Sequence, residues 1–297
     1  MPTSIRRDFG RAAIAAAAAA LLAACSGTAT TQPGVPAALS AGPTVVRPHS
    51  QKSWMNPAAV SKKLLYVSDI GYAQVDVFTY PYLTLAGVLS GFQAPAGLCA
   101  DRAGNVWVVD GGSNGSGGAI YEYAHGGTTP VNVIPQPNSY PVACAVNAQT
   151  GDLAVTTNSG GTVYVYGNAF GYPTAFSDAN FCSLMYDGYD KAGNLFVDGF
   201  DCANNFHYAE LPAGSSTFTD ITLNETPSSP GNVQWDGTYL MVSDQFPPVA
   251  YRFEFSLKGG KAVGATRFGS LYEVAQLWIS RGSIIGPDSD VYVWKYP

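Results

Sequence analysis

Four aspartates, Asp69, Asp110, Asp198 and Asp244, each close a short apolar run: LLYVSD, VWVVD, LFVD and LMVSD. Carboxylates repeated at one stage of a recurring pattern have two chemical uses. Gathered at the mouth of a channel with neighbouring Asn and backbone carbonyls, they would hold Ca²⁺, a hard cation bound through oxygen. Kept apart, each would cap its own turn by accepting from backbone N–H groups. Recurrence with the repeat itself favours the cap. The segments that follow differ from repeat to repeat, so a ligand would be read there: residues 69–72, 111–118, 158–159, 201–205 and 245–246. The candidate contact residues are Asp69, Tyr72, Asp110, Asn114, Asn158, Asp198, Asp201, Asn205, Asp244 and Gln245. Asn and Asp interleaved with Tyr140, Phe181 and Trp278 suit a sugar or a peptide. The same composition also serves loop solubility and core aromatics.

Catalytic constellations are missing from the pattern. Of the histidines, His49, His125 and His207, no two stand at metal-ligand spacing, so a helical zinc motif is excluded. His207, between Phe206 and Tyr208, reads as a packed or surface imidazole. There is no Gly-x-Ser-x-Gly elbow, and GGSNGSGG lacks the lysine and the strand-to-helix setting of a phosphate loop. No catalytic residue and no cofactor is expected beyond the Ca²⁺ alternative. The net charge of −6 becomes −8 once residues 1–24 are removed, since they hold three Arg and one Asp and leave 12 basic and 20 acidic residues. Such a surface repels phosphate backbones, which excludes a nucleic-acid partner.

Beyond Cys25 the chain has Cys99, Cys144, Cys182 and Cys202, an even number that permits disulfides in an exported protein. The first three sit on the first strand of successive repeats, and Cys202 follows the second strand of the repeat that holds Cys182. Hairpin pairing would bring Cys182 to Cys202 and leave Cys99 for Cys144. Buried free thiols are the alternative.

The elements that position these residues are repeats. GLCADRAGNVWVVDGG, ACAVNAQTGDLAVTTNSG, LMYDGYDKAGNLFVDGF and VQWDGTYLMVSDQF each place an Asp- or Asn-led turn with glycine between two apolar strands. Their glycines, Gly104, Gly151, Gly193 and Gly237, lie 47, 42 and 44 residues apart. A third strand rich in Tyr, Val and Phe and a more polar fourth complete each cycle. Four strands in a period of about 40 to 45 residues describe a propeller blade. With 33 Gly, 18 Tyr and no helical pattern, the fold class is all-β. Six four-stranded blades fit best, although five or seven also suit the count. LLYVSDIGYAQVDVFTYP enters the cycle at the second strand, and AQLWISRGSIIGPDSDVYVWKYP supplies three strands. The missing outer strand of the last blade is expected from residues 44–60.

These turns and strands resemble NHL-type and related six-bladed bacterial propellers. The matching pieces are Cys99-Ala100-Asp101, Gly104-Asn105 and Val106-Trp107-Val108-Val109-Asp110, then Gly193-Asn194 and Leu195-Phe196-Val197-Asp198. The resemblance covers residues 64–297 and implies architecture rather than activity, because propellers host binding modules, lactonases and lyases alike. The sugar-lactonase branch would place Glu, Asn and Asp around a channel metal. Here Glu122, Glu210, Glu225, Glu254 and Glu273 all fall outside the inner strands. The expected function is therefore a binding or scaffold module for a glycan, peptide or protein; the alternative is a metal-dependent lactonase or lyase-like enzyme.

The N-terminus assigns the compartment. After Arg6-Arg7 an uncharged run from Ala12 to Cys25 is too short to span a bilayer as a mature helix and reads as a signal peptide. Leu22-Ala23-Ala24-Cys25 resembles the bacterial lipobox, which implies cleavage after residue 24 and lipidation of Cys25. Arg6-Arg7-Asp8-Phe9 resembles a twin-arginine signal, and an ordinary basic leader reads the same way. Residues 25–63, rich in Pro, Thr, Ala and Ser, form a tether, with Trp54 and Met55 hinting that its last part packs. A monomer fixed by lipid to the periplasmic or cell-surface side of a membrane is the expectation.

Overall fold

The turns are built from local chemistry. Asp101 accepts from the Asn105 backbone N–H and side-chain amide, both at 2.9 Å, while Gly104 takes φ +87°. Asp190, Asn194 and Gly193 repeat the arrangement at 2.9 Å, 2.9 Å and +86°. A side-chain acceptor followed by a residue free to adopt positive φ turns the chain tightly enough for adjacent apolar runs to pair.

The computed structural model describes residues 40–41, 50 and 52–296, apart from 114–116, 137–138, 159, 257–258, 270–275, 281 and 289. The leader, Cys25 and Asn114 lie outside the described residues. The chain runs through β1 (Ser40–Ala41), β2 (Trp54–Met55), β3 (Lys63–Asp69), β4 (Gln74–Tyr80) and β5 (Thr84–Ser90). The next two groups are β6 (Pro95–Ala100), β7 (Val106–Asp110), β8 (Gly118–Tyr123) and β9 (Pro130–Gln136), then β10 (Pro141–Val146), β11 (Leu153–Thr157), β12 (Thr162–Tyr166) and β13 (Thr174–Ser177). After these come β14 (Ser183–Tyr189), β15 (Leu195–Phe200), β16 (Phe206–Leu211) and β17 (Thr219–Asp220), followed by β18 (Pro230–Trp235), β19 (Leu240–Asp244), β20 (Val249–Ser256) and β21 (Gly259–Arg267). The last three are β22 (Trp278–Ser280), β23 (Ser283–Asp288) and β24 (Asp290–Lys295).

These strands form six antiparallel sheets of four, so the fold is a six-bladed β-propeller. The second to fifth blades each take four consecutive strands, from the innermost outward. Among the described residues no helix is long and apolar enough to cross a membrane.

Apolar faces lock neighbouring blades together. Trp107, Val109 and Ile120 of the second blade pack on Leu153, Val155 and Tyr166 of the third. Leu65, Val67 and Phe78 of the first meet Ile285 and Val291 of the sixth, closing the ring. Innermost strands approach so closely that a Cβ at Gly97 would stand 2.5 Å from the Ala143 Cα, and one at Gly188 2.4 Å from the Val233 carbonyl. Two disulfides reinforce this packing. Cys99–Cys144 joins β6 to β10 across adjacent blades, and Cys182–Cys202 ties the start of β14 to the turn after β15.

Ring closure departs from expectation in one strand. The outer strand of the sixth blade is β1, with Ser40 opposite Val293 and Ala41 opposite Tyr292, and does not come from residues 44–60. That region supplies β2 to the first blade instead, Trp54 pairing with Val88 and Met55 with Gly87. Met55 finds an apolar cleft there, between the first and second blades.

The first blade is also shifted outward by one place. In the second to fifth blades the outermost strand leads to the next innermost one; β5 leads directly into β6 and so holds the fourth place, β4 the third and β3 the second. Its sheet order is β2-β5-β4-β3, so β2 extends the outer edge and nothing pairs with the inner edge of β3 among the described residues.

Candidate functional site

The recurrent aspartates work on the backbone. Asp110 accepts from Gln93 N at 2.9 Å, Ala94 N at 2.7 Å and Gly112 N at 3.1 Å, tying its own turn to the strand connection that enters the blade. Asp244 does the same with Ser228 N at 2.7 Å, Ser229 N at 3.0 Å and Phe246 N at 3.0 Å. Asp69 accepts from Tyr72 N at 3.1 Å in the turn after β3.

Asp198 does not share their place, contrary to the sequence expectation. Asp110 and Asp244 stand opposite Pro95 and Pro230 at the start of the innermost strand, whereas Asp198 stands opposite Tyr186, further along it. A one-residue offset turns a side chain to the other face of a sheet. There its Oδ1 accepts from Tyr186 N at 3.0 Å, and its Oδ2 from Gly231 N of the next blade at 3.1 Å. Burial pushes Asp198 well above the usual carboxylate range, against the lowering by those two bonds, and the nearby Asp187 adds to the rise. Asp187, on the innermost strand of the same blade, is raised by burial as well.

Each of the remaining candidates has its own local setting. Asp201 accepts from Ala203 N, Asn205 N and the Asn205 side-chain amide, which hold its carboxyl below the usual range. Asn158 is exposed and donates its backbone N–H to Tyr140 O at 3.0 Å. Gln245 is buried and donates its side-chain amide to Pro230 O. Tyr72 is exposed.

Two assemblies emerge that residue spacing did not indicate. Asp178, His207 and Asp220 bring one imidazole nitrogen and two carboxylate oxygens within 4.8 Å of one another, the grouping among the described residues with a metal-holding set of side chains. His207 Nε2 lies 2.9 Å from Asp220 Oδ1, and the Phe181 ring stands edge-on to the imidazole. Asn180 donates its side-chain amide to Asp220 and its backbone N–H to Asp178. The three come from a blade connection, a third strand and a fourth strand, so no sequence motif signals them.

The second assembly is a cavity of about 480 Å³ where an innermost strand of the first blade would lie. Its walls are β3 from Lys63 to Ser68, Leu98, Cys99 and Ala100 of β6, and Trp278 and Ser280 of β22. The lining is largely apolar, and among the described residues Lys63 is its one Lys, Arg, Asp or Glu. Tyr80 braces Trp278 edge to face at 5.5 Å, and Asn232 donates its side-chain amide to Leu277 O at 2.9 Å. At the Lys63 end, His125 Nε2 stands 2.9 Å from Lys62 O, and Gly126 N donates to Tyr66 Oη at 3.0 Å. A strand edge that no described residue pairs with, beside a largely apolar cleft, is a template for another extended chain.

Solved structures similar to this one agree in fold. A chain in the nidogen–laminin complex superposes with a TM-score of 0.59 at 12% identity, covering 76% of this chain and 84% of that one. Catalytically inactive virginiamycin B lyase from Staphylococcus aureus, with quinupristin, gives 0.57 at 14%, covering 78% and 76%. A chain of the mitotic checkpoint complex gives 0.58 at 14%, covering 79% and 72%. The likeness is one of fold alone. No family model matches the chain, and no curated protein matches it.

Proposed function

We propose that this protein is an extracytoplasmic binding module, anchored through a lipid on Cys25, whose protein or peptide partner lends an extended segment to the inner edge of β3. The observation that carries this reading is the first blade, which among the described residues begins at its second strand. In the second to fifth blades the corresponding edge is covered by an innermost strand of six or seven residues. Backbone hydrogen bonds along such an edge supply affinity, and alternate side chains read the walls for specificity. Described walls that are largely apolar, with Lys63 their one charged residue, favour a peptide over a glycan, which would need a denser set of polar partners. Turn motifs similar to those of NHL-type repeats and propeller relatives found in complexes fit a module of this kind. So does the use of the strand-end aspartates as caps.

The alternative, a metal-dependent enzyme of lactonase or lyase type, draws on the Asp178–His207–Asp220 grouping and on a lyase among the structural neighbours. It is the weaker reading, since His207 is already paired with Asp220 and the grouping is distant in kind from a channel of converging acids.

Selection of displayed hexapeptides on the full chain tests the proposal. Selected peptides should slow hydrogen exchange of residues 64–68. They should also lose at least about tenfold in affinity against Ala100→Trp, a substitution at an exposed residue on the cavity wall. Peptides that bind the variant equally well and leave β3 unprotected would refute it.

A further inference from the structure

Two turns end in aromatic side chains that the core does not take up. Between β12 and β13, Phe170 is 77% exposed and Tyr172 100%; between β4 and β5, Tyr82 is 81% exposed. Aromatic rings ordinarily supply much of the area a fold buries. These turns are held in place rather than slack. Asn168 donates its backbone N–H to Asp152 at 2.8 Å and Phe170 donates its own to Gly167 O at 3.1 Å, while Ala169 between them packs against the core. In the other turn the Leu83 N–H donates to Thr79 O at 2.8 Å and the Leu83 side chain is buried, which leaves Tyr82 outside.

Strand order puts both turns on one face. In an antiparallel blade the turn from first to second strand and the turn from third to fourth lie at the same end of the sheet, opposite the aspartates that close the second strands. On that face the first three blades form an arc, with Tyr82 at one end and Phe170 and Tyr172 at the other. Between them stand Val60, against Gly126 in the turn of the second blade, Lys62 and Lys63 at the entry to β3, and Arg102 in the turn after β6. All four are exposed. The acids of the arc, Asp101, Glu122 and Asp152, are half-buried, and Asp101 and Asp152 accept backbone N–H groups within the turns.

We propose that this arc docks on the surface of a lipid bilayer, with Tyr82, Phe170 and Tyr172 entering the interface and Lys62, Lys63 and Arg102 meeting anionic headgroups; nearness to a membrane rests on the Cys25 anchor reading above. Rings with an apolar body and a polar tip favour headgroup depth. Cations beside them add attraction to anionic lipid, which salt weakens. A protein partner needs one continuous patch of ordinary interface size. A fluid, broad surface meets separated tips at once. Docking in this way turns Asp69, Asp110 and Asp244 on the opposite face toward solvent.

Quenching by brominated lipid tests this on the full chain reconstituted with vesicles of phosphatidylcholine and phosphatidylglycerol. A genetically encoded fluorophore is placed at residue 172, at residue 82 or, as the opposite-face control, at Ile70, which is 63% exposed in the turn after β3. Quenching should be at least about threefold stronger at residues 172 and 82 than at residue 70. Phe170→Ser with Tyr172→Ser, both outside the core, should weaken quenching at residue 82, and Lys62→Glu with Arg102→Glu should do so on anionic vesicles. Equal quenching at all three positions, or none at residue 172 in chain that floats with the vesicles, overturns the docking and leaves membrane attachment standing. Chain that does not float loses both. A fluorophore at residue 172 that responds to protein concentration and not to lipid assigns the arc to a second copy, and overturns the proposal as well.

Discussion

Replacing Asp110 by Asn separates the two chemical uses of the recurrent aspartates. The buried carboxylate accepts three backbone N–H groups, two from residues 93 and 94 and one from Gly112. In the variant one oxygen still accepts from Ala94 and Gly112, but an NH₂ group now faces the Gln93 N–H, donor against donor. The lost charge-assisted bond costs about 1.5–3 kcal/mol and the stranded donor about 1–3 kcal/mol more, so the expected destabilisation is about 3–5 kcal/mol. For a domain of this size each kcal/mol moves the melting temperature by about 2–4 °C, giving a fall of about 6–20 °C. Circular dichroism melts of both proteins, run in a chelator and again with Ca²⁺, read the answer. The cap predicts the same loss in both buffers and no Ca²⁺ effect on the unmodified protein. A loss below about 1 kcal/mol, or a Ca²⁺-dependent rise in Tm that the variant abolishes, would refute the cap and restore the ion-binding role.

Removing both cysteines of the Cys99–Cys144 bridge, which spans 45 residues, should cost about 4 kcal/mol on the chain-entropy model, and the Cys182–Cys202 bridge over 20 residues about 3 kcal/mol, measured by urea unfolding. Asp187, raised by burial, stays protonated in the fold where the unfolded chain would ionise. Its contribution is therefore full below the unfolded pKa of about 3.9 and is lost as pH rises toward the folded value. Asp187→Asn should accordingly flatten the decline of stability with pH by up to about 1.4 kcal/mol per unit above about pH 4; parallel curves for the two proteins would contradict it. His207→Ala should change stability by less than about 1 kcal/mol, because its carboxylate partner is about half exposed. If Zn²⁺ titrated into the unmodified protein raises Tm and the variant shows no rise, the enzymatic alternative gains a metal centre; no rise in either removes its support.

The parts of this protein legible in the chain are those set by neighbouring residues. Asp101, Gly104 and Asn105, or Asp190, Gly193 and Asn194, make their hairpins with partners three or four positions away, so the blade period and the all-β class follow from the sequence alone. The entry at the second strand was legible too, because LLYVSD matches LMVSD and ends on the same capping aspartate. The displacement of Asp198 was legible in its strand, where LFVD is one residue shorter than VWVVD and LMVSD, but its consequence depends on which strand of the next blade lies across the sheet face. Asp178, His207 and Asp220 meet only because strands of one blade and a connection from its neighbour end side by side. Strand order around the ring also decided that the inner edge of β3 has no pairing strand among the described residues. Trp54 and Met55 carry no signal that sends them to the outside of β5 rather than the inside of β3, since backbone pairing is generic and the choice goes to the edge whose apolar cleft receives Met55. The sequence thus determined the all-β repeat and how each hairpin turns, while the tertiary structure alone decided that there are six blades and which strand edge stays unpaired among the described residues.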